Sequence, residues 1–292
     1  MSAPILFVVN PISGDEDKER ILYSIRQWAD QKQQSYHIWK TTGEQDKEKL
    51  EKQLKKYNPA KVVAVGGDGT LKLCAEKLKH TSTHLGLIPA GSANGMASEL
   101  EIPADTKRAL ELIAGDHSKK IDLLQINEDE LGMHISDIGL NASMVHSFEQ
   151  SRLRGFLGYA RGFLREINTL EPFEIEIDCD KEQFSFNAFM VAIANAKRYG
   201  TGALLNKKGQ IDDGEFELCI LKEFDLINIG KHFFDHVSAD SPHMRVLQCQ
   251  RADIRIKSSS AVAFQIDGEP KGKVESVEIK MLPQCLHMIV PH

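Results

Sequence analysis

The stretch Lys61-Val62-Val63-Ala64-Val65-Gly66-Gly67-Asp68-Gly69-Thr70-Leu71-Lys72-Leu73-Cys74-Ala75-Glu76-Lys77-Leu78 decides how the rest of the chain is read. Its opening residues are apolar and β-branched in a run too short for a helix, glycines surround an aspartate, and good helix formers follow. That order spells a strand, a tight loop and the N-terminus of a helix. Glycines let a ligand approach the backbone without meeting a Cβ, while the first N–H groups and the dipole of a helix attract an anion, phosphate above all. Asp68 suits such a place only where its charge holds a divalent cation or receives an ammonium or hydroxyl. A nucleotide with magnesium is therefore expected. No Gly-Lys-Ser/Thr completes a P-loop, and the third glycine of the dinucleotide fingerprint would fall on Lys72. The plainer reading of Gly66 to Thr70 is a tight βα turn.

Outward from this stretch the chain alternates. Pro4 to Asn10 reads as an apolar strand ended by the turn Asn10-Pro11-Ile12-Ser13-Gly14. Asp15 to Gln34 reads as a helix with Ile21, Leu22, Ile25, Trp28 and Ala29 on one face and acidic residues at its positive end. Tyr36 to Thr41 is a second strand, Glu44 to Tyr57 a charged surface helix with Leu50, Leu54 and Tyr57 turned inward, and Leu85 to Ile88 a fourth strand. Strands alternating with helices predict a doubly wound, largely parallel sheet, whose ligands bind at the carboxyl ends of the strands. Four polar, small-residue loops follow strands and would share that edge: Asn10 to Gly14, Thr41 to Gly43, Gly66 to Thr70 and Pro89 to Gly95.

From Ile121 the pattern changes. Ile121 to Ile126, Phe173 to Cys179, Ser185 to Ala194, Glu215 to Leu221, Asp253 to Lys257, Ala261 to Ile266 and Val274 to Met281 read as strands separated mostly by turn chemistry. The fold class expected is α/β: a doubly wound nucleotide-binding domain over 1–120, plus a mostly antiparallel β-sandwich domain over 121–282, with 283–292 returning to the first. No linker rich in glycine or proline separates the two, so close packing around a cleft is expected. Arg152 to Asn168 reads as an amphipathic helix carrying Arg154, Arg161 and Arg165, either packed on a core or resting on an anionic membrane.

Composition narrows the classes. At 292 residues the chain has room for two domains, and no apolar run approaches a membrane span or a signal peptide, which points to a cytoplasmic protein. Five cysteines, Cys74, Cys179, Cys219, Cys249 and Cys285, are scattered singly, which points to reduced thiols rather than zinc or a disulfide framework. A formal net charge of −6 gives no support for nucleic-acid binding. Edge strands of a sandwich can pair between copies, so a homodimer is left open.

Candidate chemistry lies near the C-terminus. Gln265-Ile266-Asp267-Gly268-Glu269 ends a strand in a turn with two carboxylates, which is ordinary hairpin chemistry when taken alone. Phosphoryl transfer to an alcohol needs a carboxylate to accept the hydroxyl proton, and Asp267 or Glu269 could supply it. Asp212-Asp213-Gly214-Glu215 reads as a hard-cation site or a solvated acidic turn. His80 with His84, and His232 with His236, have the spacing of zinc ligands, although the first pair runs from a helix end toward a strand. No Gly-x-Ser-x-Gly supports a hydrolase.

Assembled, these residues resemble the diacylglycerol kinase catalytic-domain family, which includes bacterial lipid kinases and sphingosine kinases. The resemblance rests on Asn10-Pro11-Ile12-Ser13-Gly14, Gly66-Gly67-Asp68-Gly69-Thr70, Leu87 through Asn94, Lys120-Ile121-Asp122-Leu123, Asp213-Gly214 and Asp267-Gly268-Glu269. Gly-Gly-Asp-Gly-Thr is shared with NAD kinases. The resemblance implies ATP and magnesium as cofactors, a lipid substrate met at a membrane surface, and only peripheral attachment there. It implies that Asn10, Ser13, Gly14, Thr41, Gly66, Gly67, Asp68, Gly69, Thr70, Ser92 and Asn94 form the nucleotide site, that Asp68 organises the catalytic magnesium, and that Glu269 is the proton acceptor. Asp213, with backbone oxygens of Gln210 and Glu215, would match a second, structural magnesium site. The chain departs from the family at Gly95, where an aspartate is usual, and between Asn195 and Asn206, where a glycine-rich stretch and a proline are altered. A family member that binds nucleotide or lipid without turnover, and a kinase acting on NAD, are the rival readings.

Overall fold

The computed structural model describes residues 3–14, 17–92, 94–115, 117–139, 171–196, 198–199, 203–204, 209–222 and 243–292. The chain divides into two units, Met1–Ile121 with Gln284–His292, and Asp122–Pro283.

In the first unit, β1 (Ile5–Val9) is apolar throughout and buried throughout. It is followed by α1 (Lys18–Lys32), β2 (Tyr36–Lys40), α2 (Asp46–Tyr57), β3 (Lys61–Gly66), α3 (Asp68–Leu78), β4 (His84–Pro89), α4 (Gly95–Glu99) and α5 (Thr106–Ala114). The strands lie parallel in the order β2-β1-β3-β4. Successive side chains of a strand point to opposite faces, so a strand buried at every residue must be covered on both. Ile5, Phe7 and Val9 pack with Ile21, Leu22, Ile25 and Trp28 of α1 and with Leu110 and Ile113 of α5. Leu6 and Val8 face the other way and are equally buried, and α3 packs on β1 and β3 with α2 against it. Full burial of a side chain such as Phe7 is worth about 1.5–3 kcal/mol.

Asp17 caps α1 by accepting from the Glu19 N–H (3.0 Å), and Asp105 caps α5 by accepting from the Arg108 N–H (2.9 Å). α5 was not anticipated, although Ala109, Leu110 and Ile113 are buried on one face of it.

The second unit is built from strands. It contains most of β5 (Ser118–Ile126), then β6 (Glu130–Gly132), β7 (Ile135–Ile138), β8 (Phe173–Cys179), β9 (Glu182–Ala188), β10 (Met190–Ala194) and the short pair β11 (Arg198–Tyr199) and β12 (Ala203–Leu204). β13 (Phe216–Leu221), β14 (Met244–Cys249), β15 (Arg251–Ile256), β16 (Val262–Ile266), β17 (Glu269–Val274) and β18 (Ser276–Ile289) follow, the last ending in the first unit, where His287 and Met288 pair with β4. One antiparallel sheet has the order β14-β13-β10-β7-β16-β17, and β18, β15, β8 and β9 pair antiparallel in another. Ile175, Ile177 and Ile254 of the second sheet share one core with Val191, Ile193, Leu218 and Phe264 of the first, which is the expected sandwich.

Three differences from expectation have structural causes. Ser185 to Ala194 is two strands, because the chain passes from one sheet to the other at Phe189, whose N–H donates to the Leu221 carbonyl (2.8 Å). β17 carries Pro270 and Gly272, which disfavour a central strand, and it lies at the edge of its sheet with a register shift opposite Phe264 and Gln265. Cys179 and Cys249 form a disulfide, correcting the expectation of reduced thiols for that pair. The cause lies in the turns that follow them. The Asp180 carboxylate accepts from the N–H groups of Gln250 (3.1 Å) and Arg251 (2.9 Å), which draws the ends of β8 and β14 together across the sandwich. Cys74, Cys219 and Cys285 lie outside the disulfide and are buried; burial, then the nearby Glu217 charge, pushes the Cys219 thiol up to about 12.

The expected helix over Arg152 to Asn168, and His232 with His236, lie outside the described residues. Among the described residues, no helix is long and apolar enough to cross a membrane.

Candidate functional site

In the first unit the loops after the four parallel strands leave from one edge. The Thr41 N–H donates to the Val9 carbonyl (2.9 Å), the Asn10 N–H to that of Val65 (3.0 Å), and the Ala90 N–H to that of Gly66 (2.8 Å). This is the carboxyl edge, where sheets of this kind bind ligands.

Asn10 shapes the first loop by accepting from the Ile12 N–H (3.1 Å), and the Ser13 hydroxyl lies 3.2 Å from the carbonyl oxygens of both Asn10 and Ala90. Gly14 has φ +60, and a Cβ there would stand 2.7 Å from the Ala90 oxygen. Lys18 is buried at the start of α1 and its ammonium donates to the carbonyls of Ser13 (2.5 Å) and Ala90 (2.8 Å). A fixed positive charge thus ties the first and fourth loops together. Sequence reasoning missed Lys18, since a lysine near a helix start carries no signal of burial.

The loop that opened the sequence reading is equally constrained. A Cβ on Gly66 would collide with the buried Thr70 side chain. A Cβ on Gly67 would stand 3.1 Å from the Cα of Gly91. Gly67 is the N-cap of α3 and offers no side-chain cap, while the first N–H groups of a helix have no intrahelical partners. Asn94 closes the fourth loop on itself, accepting from the Gly91 N–H (2.9 Å) and donating to the Gly91 oxygen (2.8 Å). Gly69 and Ser92 are exposed, and Thr41 is half-buried.

Asp68 is half-buried, and its two carboxylate oxygens accept from the N–H groups of Gly95 (2.8 Å) and Met96 (3.1 Å) at the start of α4. Each oxygen has a second lone pair, so a hard cation fits there without breaking either bond. At Gly95, where the resemblance led to the expectation of an aspartate, the backbone N–H donates to Asp68.

The second unit holds the remaining candidates. Asp267 (φ +51) and Gly268 (φ +86) form a two-residue hairpin between Ile266 and Glu269. The Asp267 carboxylate accepts from the N–H groups of Met133 (3.0 Å) and His134 (2.8 Å). Glu269 opens β17 on the surface, with its carboxylate 3.6 Å from the Lys271 ammonium, which also binds Glu130 at 2.9 Å. Burial alone would lower the Lys271 pKa, but the hydrogen bond and charge of Glu130, with the charge of Glu269, outweigh it and raise the pKa above the ordinary value.

Gln210, Asp213 and Glu215 lie at the turn before β13. Asp213 accepts from the Glu215 N–H (3.1 Å), while Gly214, at φ +80, donates to the carboxylate of fully buried Asp122 (2.7 Å). The Asp122 N–H in turn donates to the Ile211 carbonyl (2.7 Å). Asp122 therefore holds this turn, a role that neither its place in the Lys120-Ile121-Asp122-Leu123 motif nor its charge inside an apolar strand had disclosed. One carboxylate with backbone oxygens is a donor set of the hard kind. Among the described residues, no cluster of three or more His, Cys, Asp or Glu side chains suits a metal. His80 stands in a turn at φ +61 and His84 in β4, so the first histidine pair shares no helix.

Comparison with known proteins agrees with both units. Residues 4–126 match the diacylglycerol kinase catalytic domain, and residues 135–290 match the YegS C-terminal NAD kinase beta sandwich-like domain. The "Probable lipid kinase YegS" of Escherichia fergusonii is 24% identical over 262 residues, covering 87% of this chain and 86% of that protein. A Synechocystis protein, sll0036, is 26% identical over 97% of this chain and 69% of its own length. The crystal structure of a diacylglycerol kinase from Bacillus anthracis strain Sterne superposes with a TM-score of 0.76 at 18% identity, covering 99% of this chain and 97% of that one. A second solved structure from the same strain superposes with a TM-score of 0.82 at 21% identity over 99% and 97%. With one model matching the front of the chain and the other more than half of its length, the chain belongs to the family that joins a diacylglycerol kinase catalytic domain to a YegS C-terminal NAD kinase β-sandwich-like domain.

Proposed function

We propose that this chain is an ATP- and magnesium-dependent lipid kinase that transfers the γ-phosphoryl group to a lipid hydroxyl at a membrane surface. The observation that carries the reading is the mutual contact of the glycine loops, in which Gly14 lies against Ala90 and Gly67 against Gly91 with no room for a Cβ. Loops held this way present backbone N–H groups and the start of α3 to phosphate oxygens. Lys18 adds a fixed positive charge to the same loops.

In the reaction, the bond between the γ-phosphorus and its bridging oxygen breaks, a bond to the lipid oxygen forms, and the hydroxyl proton must leave. We assign that proton to Glu269, whose carboxylate is exposed and acceptor-only when ionised. Asp267 is the poorer candidate, because its oxygens already accept from Met133 and His134. Asp68 would hold magnesium, which when bound offsets the phosphate charge. Asp213 with the backbone oxygens of Gln210 and Glu215 would hold a structural ion.

The test is transfer of labelled γ-phosphate from ATP, with magnesium, to diacylglycerol, phosphatidylglycerol, ceramide and sphingosine in mixed micelles, with NAD as a soluble acceptor. A labelled lipid that is lost with Glu269→Ala supports the reading and names the substrate class. Labelled NAD would move the chain to the NAD kinases. ATP binding without any labelled product would favour a non-catalytic member, a reading that the missing carboxylate at Gly95 supports.

A further inference from the structure

We propose that Gln265, through buried Asp137, is the positioning residue that fixes where Glu269 is presented; this rests on the kinase reading above. Asp137 lies in β7 with no solvent exposure, and Gln265 in β16 is only 3% exposed. The Gln265 side-chain nitrogen donates to the Asp137 carboxylate, while its oxygen accepts from the Gly268 N–H (2.5 Å). Neither end of this amide is interchangeable. The carboxylate only accepts, the N–H only donates, and a glutamine laid between them satisfies both.

The Asp267–Gly268 hairpin is thus anchored on two sides. Gln265 holds Gly268 from within its own strand, and Asp267 holds the N–H groups of Met133 and His134 from the outside. Glu269 is the next residue, so the direction of its Cα–Cβ bond is inherited from this turn. β17 needs such anchoring. It is an edge strand interrupted by Pro270 and by Gly272 at φ +84, and its pairing with β16 shifts register between Phe264 and Gln265. An edge with a bulge and a proline has few ladder bonds to hold a side chain in place. A charged or hydrogen-bonded residue deep in a sheet is costly to bury unless satisfied, and here satisfying Asp137 also pins the turn.

The test exchanges the two groups. Gln265→Glu places two carboxylates together and loses the donor that joins position 265 to Asp137, although the new group can still accept from the Gly268 N–H. The double variant Asp137→Asn with Gln265→Glu restores the bridge in reverse: the new amide at position 137 donates, and the new carboxylate at position 265 accepts from it and from the Gly268 N–H. Two kinds of readout are taken on all three proteins: hydrogen exchange of the peptide spanning Gln265 to Pro270 with the melting temperature, which need no activity, and kcat with the KM values for the lipid acceptor and for ATP. The expected result is faster exchange and a kcat lowered about a hundredfold in the single variant, with KM for ATP unchanged, since a misplacement of about 1 Å costs that much. Both readouts are expected to return in the exchanged pair. Exchange in the turn that is unaltered by Gln265→Glu, or a kcat that stays low in the pair although exchange and melting temperature recover, would overturn the proposal. Wild-type protein that labels no lipid would defeat the kinase reading instead, while the exchange measurement still decides whether Gln265 pins the turn.

Discussion

A Cβ on Gly91 would run into the Cα of Gly67 and stand 2.9 Å from its nitrogen, so the loops after β3 and β4 touch backbone to backbone. Neither glycine is there for a left-handed φ; the need is for space. Gly91→Ala is therefore expected to push the two loops apart, at about 1–3 kcal/mol of stability, as overpacking does. A nucleotide site made from these loops should weaken at least tenfold, measured by ATP titration beside thermal melts. Gly43→Ala is the comparison for stability: nothing lies within 4 Å of its Cβ, so only the strain of φ +82 is felt, about 1 kcal/mol.

Asp68→Asn removes one of two acceptors from the start of α4. The Asn amide keeps one oxygen where two had accepted from Gly95 and Met96, and its NH2 sets a donor against a donor N–H. A loss of about 1–2 kcal/mol is expected from the charged hydrogen bond alone. If Asp68 also holds magnesium, the variant will need more of it for transfer, seen as a metal titration shifted to higher concentration; an unchanged titration would remove Asp68 from the metal site.

The Cys179–Cys249 disulfide closes 70 residues and ties the two sheets of the second unit. A cross-link over that separation stabilises by roughly 4 kcal/mol in the chain-entropy account. Denaturation with and without dithiothreitol should differ by up to that amount. Cys179→Ser with Cys249→Ser should abolish the difference, and intact-mass measurement after alkylation of the denatured, oxidised protein should count three added groups, on Cys74, Cys219 and Cys285.

His287 supplies a pH dependence. Burial, then the charges of His84 and Lys120, lowers its pKa below the ordinary value of 6.5, and the His84 ring stands 5.3 Å away. The unfolded chain therefore takes up this proton at a higher pH than the folded one. The stability tied to neutral His287 is complete above 6.5 and is lost as pH falls from 6.5 through the lowered folded value. Urea midpoints at pH 7 and pH 5 should show a smaller drop for His287→Gln than for the wild type.

Several elements were legible because their causes are local. Val62 to Val65 followed by Gly66 and Gly67, or the apolar spacing of Ile21, Leu22, Ile25, Trp28 and Ala29, requires only a few neighbours to name a strand, a loop or a helix face, and all of those helix residues are buried. α5 escaped because a nine-residue helix leaves too few turns for its period to stand out. β17 escaped because Pro270 and Gly272 argue against a strand, and only the open edge beside β16 tolerates them.

The sequence by itself determined the kind and order of most elements, the glycine loops that follow the parallel strands, and the motifs that mark the family, since backbone preference and turn chemistry act over a few residues. Only the tertiary structure decided that Lys18 binds the Ala90 carbonyl, that Asp68 faces Gly95, that Asp267 holds Met133, that Gln265 meets Asp137, and that Cys179 finds Cys249. Those partners lie 27 to 134 residues apart. No local preference encodes such pairs; they exist because burial of the two cores brings distant polar groups out of water, where each must find a donor or acceptor.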